Sequence, residues 1–228
     1  MRFSFSFLLL LGSIALFCSG SRHAESAEPA SDFLWELNSR GFASFEHKGH
    51  SFVPHPSDGV LDIFNRTPTF DGEEFEEGPA PEVSASGDKV TLTYAWGTVE
   101  ATYTGTDAGV NIAVKVTNSS AKYMDKIAIQ FVRLTYSAVA KISVDDSEPK
   151  PFDGGVWPIF DLAESGRHAT VIYPEGKLEV SAESKGEVEG VAGFFFAESE
   201  GLTNRISIVF SNIPSGQSRQ TTLKLKFK

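Results

Sequence analysis

Between Lys89 and Tyr136, apolar side chains return at every second position through four consecutive segments. Val90, Leu92, Tyr94 and Trp96 stand opposite Lys89, Thr91 and Thr93. After Gly97, Val99, Ala101 and Tyr103 stand opposite Thr98, Glu100 and Thr102. Beyond the Gly105–Gly109 turn, Val110, Ile112, Val114 and Val116 stand opposite Asn111, Lys115 and Thr117. Successive strand side chains point to opposite faces, so a period of two predicts β-strands with one face on a core and one in water. The fourth segment, Ile127 to Tyr136, is apolar on both faces and predicts a central strand.

The same rhythm continues on both sides. Gly41–Glu46 and His50–Val53 flank His47-Lys48-Gly49 and read as a hairpin. Val60–Phe64 is a short candidate, followed downstream by Val139–Val144, Ala169–Tyr173, Lys177–Glu183, Gly190–Ala197, Asn204–Ser211 and Thr221–Phe227. Phe194-Phe195-Phe196 is apolar on both faces and reads as central. Ser31–Arg40 has a helix-cap residue, yet Phe33, Trp35 and Leu37 alternate, which favours a strand. The expected fold is all-β: a large, mainly antiparallel β-sandwich of about a dozen strands, with little or no helix, in one domain over residues 27–228. Two proline-bearing segments, Asn65–Ser86 and Asp145–Gly166, are expected to be loops, because proline cannot donate to a ladder.

Residues 1–26 have the anatomy of a secretory signal peptide. Met1-Arg2 precedes an apolar run from Phe3 to Phe17, too short for a span of about 20 residues, and small and polar residues follow it. The expected location is secreted or periplasmic. The only cysteine, Cys18, lies in this leader; the bulky Phe17 before it fits a lipidation site badly. The remaining chain would carry no disulfide, and about 200 residues suffice for one sizeable core. A net charge of −10 argues against nucleic acid and against anionic membrane surfaces, and no stable membrane insertion is expected after cleavage.

Few residues announce chemistry. The acidic run Asp71–Glu77 would offer oxygen ligands to calcium but lacks the spacing of a calcium loop, and reads first as a solvated face. Asp145, Asp146, Asp153, Asp161 and Glu164 are turn-forming carboxylates first and a glycosidase pair second. His47, His50 and His55 cluster without a zinc motif, and His168 would work as an acid or base near neutral pH; each reads first as a surface or hairpin histidine. No nucleophile elbow, P-loop or dinucleotide fingerprint is present. Asn118-Ser119-Ser120 and Asn65-Arg66-Thr67 match the glycosylation triplet, although Asn118 more simply ends its strand in a turn.

The strongest binding signal is Trp157 with Phe160 in a Gly-Gly-x-Trp-Pro loop. An indole held there offers a flat face to a sugar ring, with Asp153, Asp161, Arg167 and His168 nearby for its hydroxyls; the competing reading has Trp157 capping the core. No catalytic residue, metal or cofactor is assigned.

Gly109–Ser120, followed by Ile127–Phe131, resembles the galactose-mutarotase-like β-"supersandwich" modules of secreted bacterial carbohydrate-active proteins. There an extended strand ending in Val-x-Asn is followed by a short turn and a long partner strand, and the Gly41–Val53 hairpin resembles their opening. The histidine motifs of the active mutarotases have no match here. Export, the β pattern and the Trp157 loop together point to a secreted, non-catalytic module for carbohydrate binding or scaffolding, with a polysaccharide or sugar as partner; the chain would be complete or the N-terminal module of a longer protein. An enzyme using His168 with Asp153 or Asp161, and a structural or protein-interaction module, are the alternatives.

Overall fold

In the computed structural model of the chain, the residues described are 33–52, 61–63, 68–74, 80–135, 141–145, 147–151, 168–184, 190–195 and 203–228. They contain strands and turns and no helix. The strands, in chain order, begin with β1 (Phe33–Asn38), β2 (Gly41–His47), β3 (His50–Ser51), β4 (Asp62–Ile63), β5 (Thr69–Phe70) and β6 (Glu73–Glu74). Then come β7 (Glu82–Ser86), β8 (Lys89–Tyr94), β9 (Gly97–Thr106), β10 (Gly109–Asn118), β11 (Met124–Thr135) and β12 (Lys141–Val144). The last are β13 (Lys150–Pro151), β14 (His168–Tyr173), β15 (Gly176–Ser184), β16 (Gly190–Phe195), β17 (Thr203–Ile213) and β18 (Ser218–Phe227). Of these eighteen, β3, β4, β5, β6 and β13 have only two residues, so the longer strands match the expected dozen closely.

All pairings are antiparallel. The largest sheet has nine strands in the order β13-β12-β14-β15-β18-β10-β9-β8-β7. A second runs β16-β17-β11-β5-β6, with β4 also on β11, and a third is β1-β2-β3. The alternation of β8, β9 and β10 turns Val90, Leu92, Val99, Ala101, Tyr103, Val110, Ile112, Val114 and Val116 inward, each at most 1% exposed. From the six-stranded sheet, Met124, Ile127, Ile129, Phe131, Ile208 and Phe210 meet them in one core. The three-stranded sheet supplies Phe42 and Phe45, whose rings stack 4.7 Å apart; Phe42 lies edge-on to Tyr103 at 5.1 Å. Such pairs add to the area that each ring buries.

Glycine serves one turn through its φ and one strand start through a close backbone approach. Lys48 and Gly49, at φ 50° and 79°, make the two-residue turn of the β2–β3 hairpin, where both central residues must be left-handed. A Cβ on Gly109 would lie 1.9 Å from the carbonyl oxygen of Leu225, so only glycine lets β10 start against β18.

Several expectations change. Asn65–Ser86 is not a continuous loop: it holds β5, β6 and β7, because Pro68 and Pro81 stand just before strands rather than inside them. Within Asp145–Gly166, Lys150–Pro151 forms the edge strand β13, a place where proline is tolerated. The strand after Asn118 is not its hydrogen-bonded partner, since β11 crosses to the six-stranded sheet while β10 pairs with β9 and β18. There β11 is central, with Ala128 and Gln130 buried as well as Ile127 and Ile129. β16, carrying Phe194 and Phe195, is instead the end strand of that sheet among the described strands.

Candidate functional site

The outward face of the nine-stranded sheet carries a depression that could hold a small ligand. Register places Ala113 level with Thr102 and Lys89 on one side and with Thr222 on the other. One row along, Lys115 is level with Glu100 and Gln220. Ala113, Thr102 and Thr222 are short, whereas Lys89, Glu100, Lys115 and Gln220 are long. The short residues form a floor and the long ones a wall, which leaves an open hollow of about 270 Å³. That lies just under the usual range for small-molecule sites, about 300–1,000 Å³.

The electrostatics are local. The Glu100 carboxylate pairs directly with the Lys89 ammonium and lies 3.9 Å from Lys115 Nζ. Exposed pairs of this kind stabilise the fold by about 1 kcal/mol or less. Their consequence is positional, because one carboxylate is held between two ammonium groups above a threonine-lined floor. Hydroxyls, an amide, ammonium donors and a carboxylate acceptor together suit a polyhydroxylated ligand. The alternation of β8 to β10 already marked Thr91, Thr93, Asn111 and Lys115 as outward. It could not show that Ala113 is a dip, since that needs the cross-strand register with β9 and β18.

Of the residues singled out in the sequence, Asp153, Trp157, Phe160, Asp161 and Arg167 lie outside the described residues, as do Asp146, Glu164, His55 and Asn65. His168 is described and sits on the same outward face: Asn111, Lys224, Ser181 and His168 share one cross-strand row. It is three strands from Asn111, about 14 Å by strand spacing, so its ring is not part of the hollow. Its backbone N–H donates to Asp145 Oδ1 at 3.0 Å, and its carbonyl accepts from the Asp145 N–H at 3.0 Å. Asp145 thus acts as a turn former. Asp71 and Gly72 form the tip of the β5–β6 hairpin, where the Gly72 N–H donates to Asp125 Oδ2 at 2.6 Å. Among the described residues no group of three or more His, Cys, Asp or Glu side chains is placed to hold a metal ion.

His47 and His50 are hairpin residues, as expected, but both are drawn into the packing rather than left at the surface. His47 is buried, 5% exposed, stacked on Phe227 at 4.5 Å and hydrogen-bonded through Nδ1 to the Tyr173 hydroxyl at 2.5 Å. His50 stacks on Tyr173 at 4.7 Å, with Nδ1 3.5 Å from Glu175. Burial lowers the His50 pKa, partly opposed by the Glu175 carboxylate, and burial raises that of Tyr173. This cluster clamps the three-stranded sheet onto β14 and β18. Asn118 is likewise internal and fully buried. Its Nδ2 donates to the carbonyls of Lys122 and Ile213, both at 2.9 Å, and its Oδ1 accepts from the N–H and hydroxyl of Ser120. The strand-ending turn is its role, and the triplet there is no accessible acceptor.

No protein-family model matches the chain, and no curated protein matches it. Solved structures do. A candidate aldose 1-epimerase from Escherichia coli K12 superposes with TM-score 0.60 at 11% identity, covering 87% of this chain and 96% of that one. A galactose mutarotase related enzyme from Lactobacillus acidophilus gives 0.56 at 8% identity, covering 88% and 96%. A polysaccharide lyase gives 0.50 at 12% identity over 89% of this chain, which spans 33% of the lyase. At these identities the likeness establishes the fold: the chain has the galactose-mutarotase-like β-sandwich.

Proposed function

We propose that the chain is an exported carbohydrate-recognition module with no catalytic activity of its own, and that it seats a sugar in the hollow over Ala113. The observation that carries this reading is the hollow itself: a short-residue floor ringed by Lys89, Glu100, Lys115 and Gln220. It lies on the polar face of a fold whose solved examples include proteins described as a candidate aldose 1-epimerase and a galactose mutarotase related enzyme. Its inventory suits holding hydroxyls, with one carboxylate already engaged by lysine, whereas glycoside cleavage takes two carboxyls across the bond. The Trp157 loop, with Phe160, would add a stacking surface, and the leader would direct export.

Calorimetry or affinity electrophoresis against a panel of polysaccharides tests the reading. Binding is expected, and Ala113→Trp, which fills the floor on a strand that accepts aromatic residues, should reduce it at least tenfold. Unchanged affinity in this variant removes the hollow from the proposal. If Trp157→Ala alone abolishes binding, the site moves to that loop. Polarimetry with fresh α-glucose or α-galactose should show no acceleration of mutarotation; acceleration would overturn the non-catalytic assignment.

A further inference from the structure

The chain is acidic overall, with 20 Lys and Arg against 30 Asp and Glu, yet the face around the hollow is not. Cross-strand register and the alternation of β15 and β18 bring Lys89, Lys115, Lys224, Lys226, Lys177 and Lys228 to the outward side of the nine-stranded sheet. The carboxylates on that side are Glu82, Glu100 and Glu179, with Glu183 at an outward register position opposite Thr222. Glu100 pairs with Lys89, and Glu179 with Lys228. Among the described residues lysines therefore outnumber acids on this face, the reverse of the chain as a whole.

Their arrangement is linear. Lys224 and Lys226 of β18 and Lys228 just past its end follow one another at alternate positions, about 7 Å apart, and lead away from the hollow where Lys89 and Lys115 stand. From the Lys115 row to the Lys228 row the track covers about eight residues of strand, or about 27 Å. At physiological ionic strength screening sets in over about 8 Å, so a ligand lying along this track responds to the lysines beneath it more than to the distant net charge.

We infer that the ligand class of this face is an acidic polysaccharide, one carrying carboxylate or sulfate groups along its length, laid along β18 with one sugar in the hollow. This rests on the carbohydrate reading above and sharpens it. Charge complementarity selects the occupant: a neutral glycan would use the hollow but gain nothing from the lysine track, while a regular polyanion engages both. The part played by the track should show salt dependence, because ions are released as ammonium groups pair with the ligand.

The test measures affinity of the full chain for a polyuronate, a sulfated glycosaminoglycan and a neutral galactan at 50 and 300 mM salt, with poly-L-glutamate as a polyanion without sugar. An acidic glycan is expected to bind most tightly and to lose affinity with salt, the better of the two naming the anionic group. Lys226→Gln with Lys228→Gln, on the track and outside the hollow, should cost about tenfold for that glycan at low salt and leave thermal stability and galactan binding unchanged. Tighter binding to the galactan overturns the acidic class and leaves the carbohydrate reading standing. Equal binding of poly-L-glutamate overturns glycan recognition in favour of charge alone, and no binding to any glycan overturns both readings. An acidic glycan that binds the double variant as well as the parent removes the track.

Discussion

On β10, Ile112 and Ala113 are adjacent in the chain and face different worlds. Ile112 is 0% exposed, packed in the core shared by all three sheets. Ala113 is exposed at the bottom of a hollow ringed by lysine, glutamate and glutamine. The inward face is uniform and tightly filled, so its residues are interchangeable only within a narrow range of volume. The outward face is uneven, and its meaning lies in differences of length and charge between neighbours. One backbone thus separates stability from recognition by a single residue step.

Substitutions on the inward face should break this contrast most strongly. Ile112→Ala removes buried methylene groups from a closed core and is expected to cost about 2–5 kcal/mol in denaturant unfolding. A cost under about 1 kcal/mol would mean that the inward face is loosely packed. A smaller effect of opposite sign comes from Tyr103. Its hydroxyl is fully buried, approaches the backbone of Gly41 and has no hydrogen-bond partner among the described residues. Tyr103→Phe should therefore raise stability by about 1 kcal/mol, since an unpaired buried hydroxyl is a cost; loss of stability would reveal a hidden partner.

The smallest effect sits at the margin of the inward face, where His50 stacks on Tyr173. Burial holds the His50 pKa below the ordinary imidazole value, so below about pH 6.5 the unfolded chain takes up this proton more readily than the folded one. Stability linked to His50 is present above that pH and is lost as the pH falls toward the lowered folded value. Melting temperature should drop between pH 7.5 and 5.5, less in His50→Gln. Because Glu175 raises the His50 pKa, Glu175→Gln should steepen the drop; an unaltered profile in both variants would take His50 out of the acid response.

The inward face was readable from the chain because alternation is a local property: Val90, Leu92, Val99 and Ile112 declare their side two residues at a time. The hollow was not. Lys89, Glu100, Lys115 and Gln220 are distant in sequence, and only the register of β8, β9, β10 and β18 assembles them. The hairpin place of His47 is legible but its burial is not, since a histidine beside a turn looks exposed until Tyr173 and Phe227 arrive from strands more than a hundred residues away. Proline constrains less of a segment than its presence suggests: Pro68 and Pro81 exclude themselves from a ladder but not the residues after them.

The position of β18 also bears on how the molecule assembles. It lies between β10 and β15, near the middle of the nine-stranded sheet, although it is the last strand in chain order. Pairings such as Gly109 with Lys226 close loops of more than a hundred residues, which slows folding relative to local contacts. Until β18 docks, the β7–β10 meander and the β12–β15 group each present a raw edge, open to pairing with another chain. Because β18 follows both groups in the chain, the keystone arrives after them and the sheet closes only once it has docked between them.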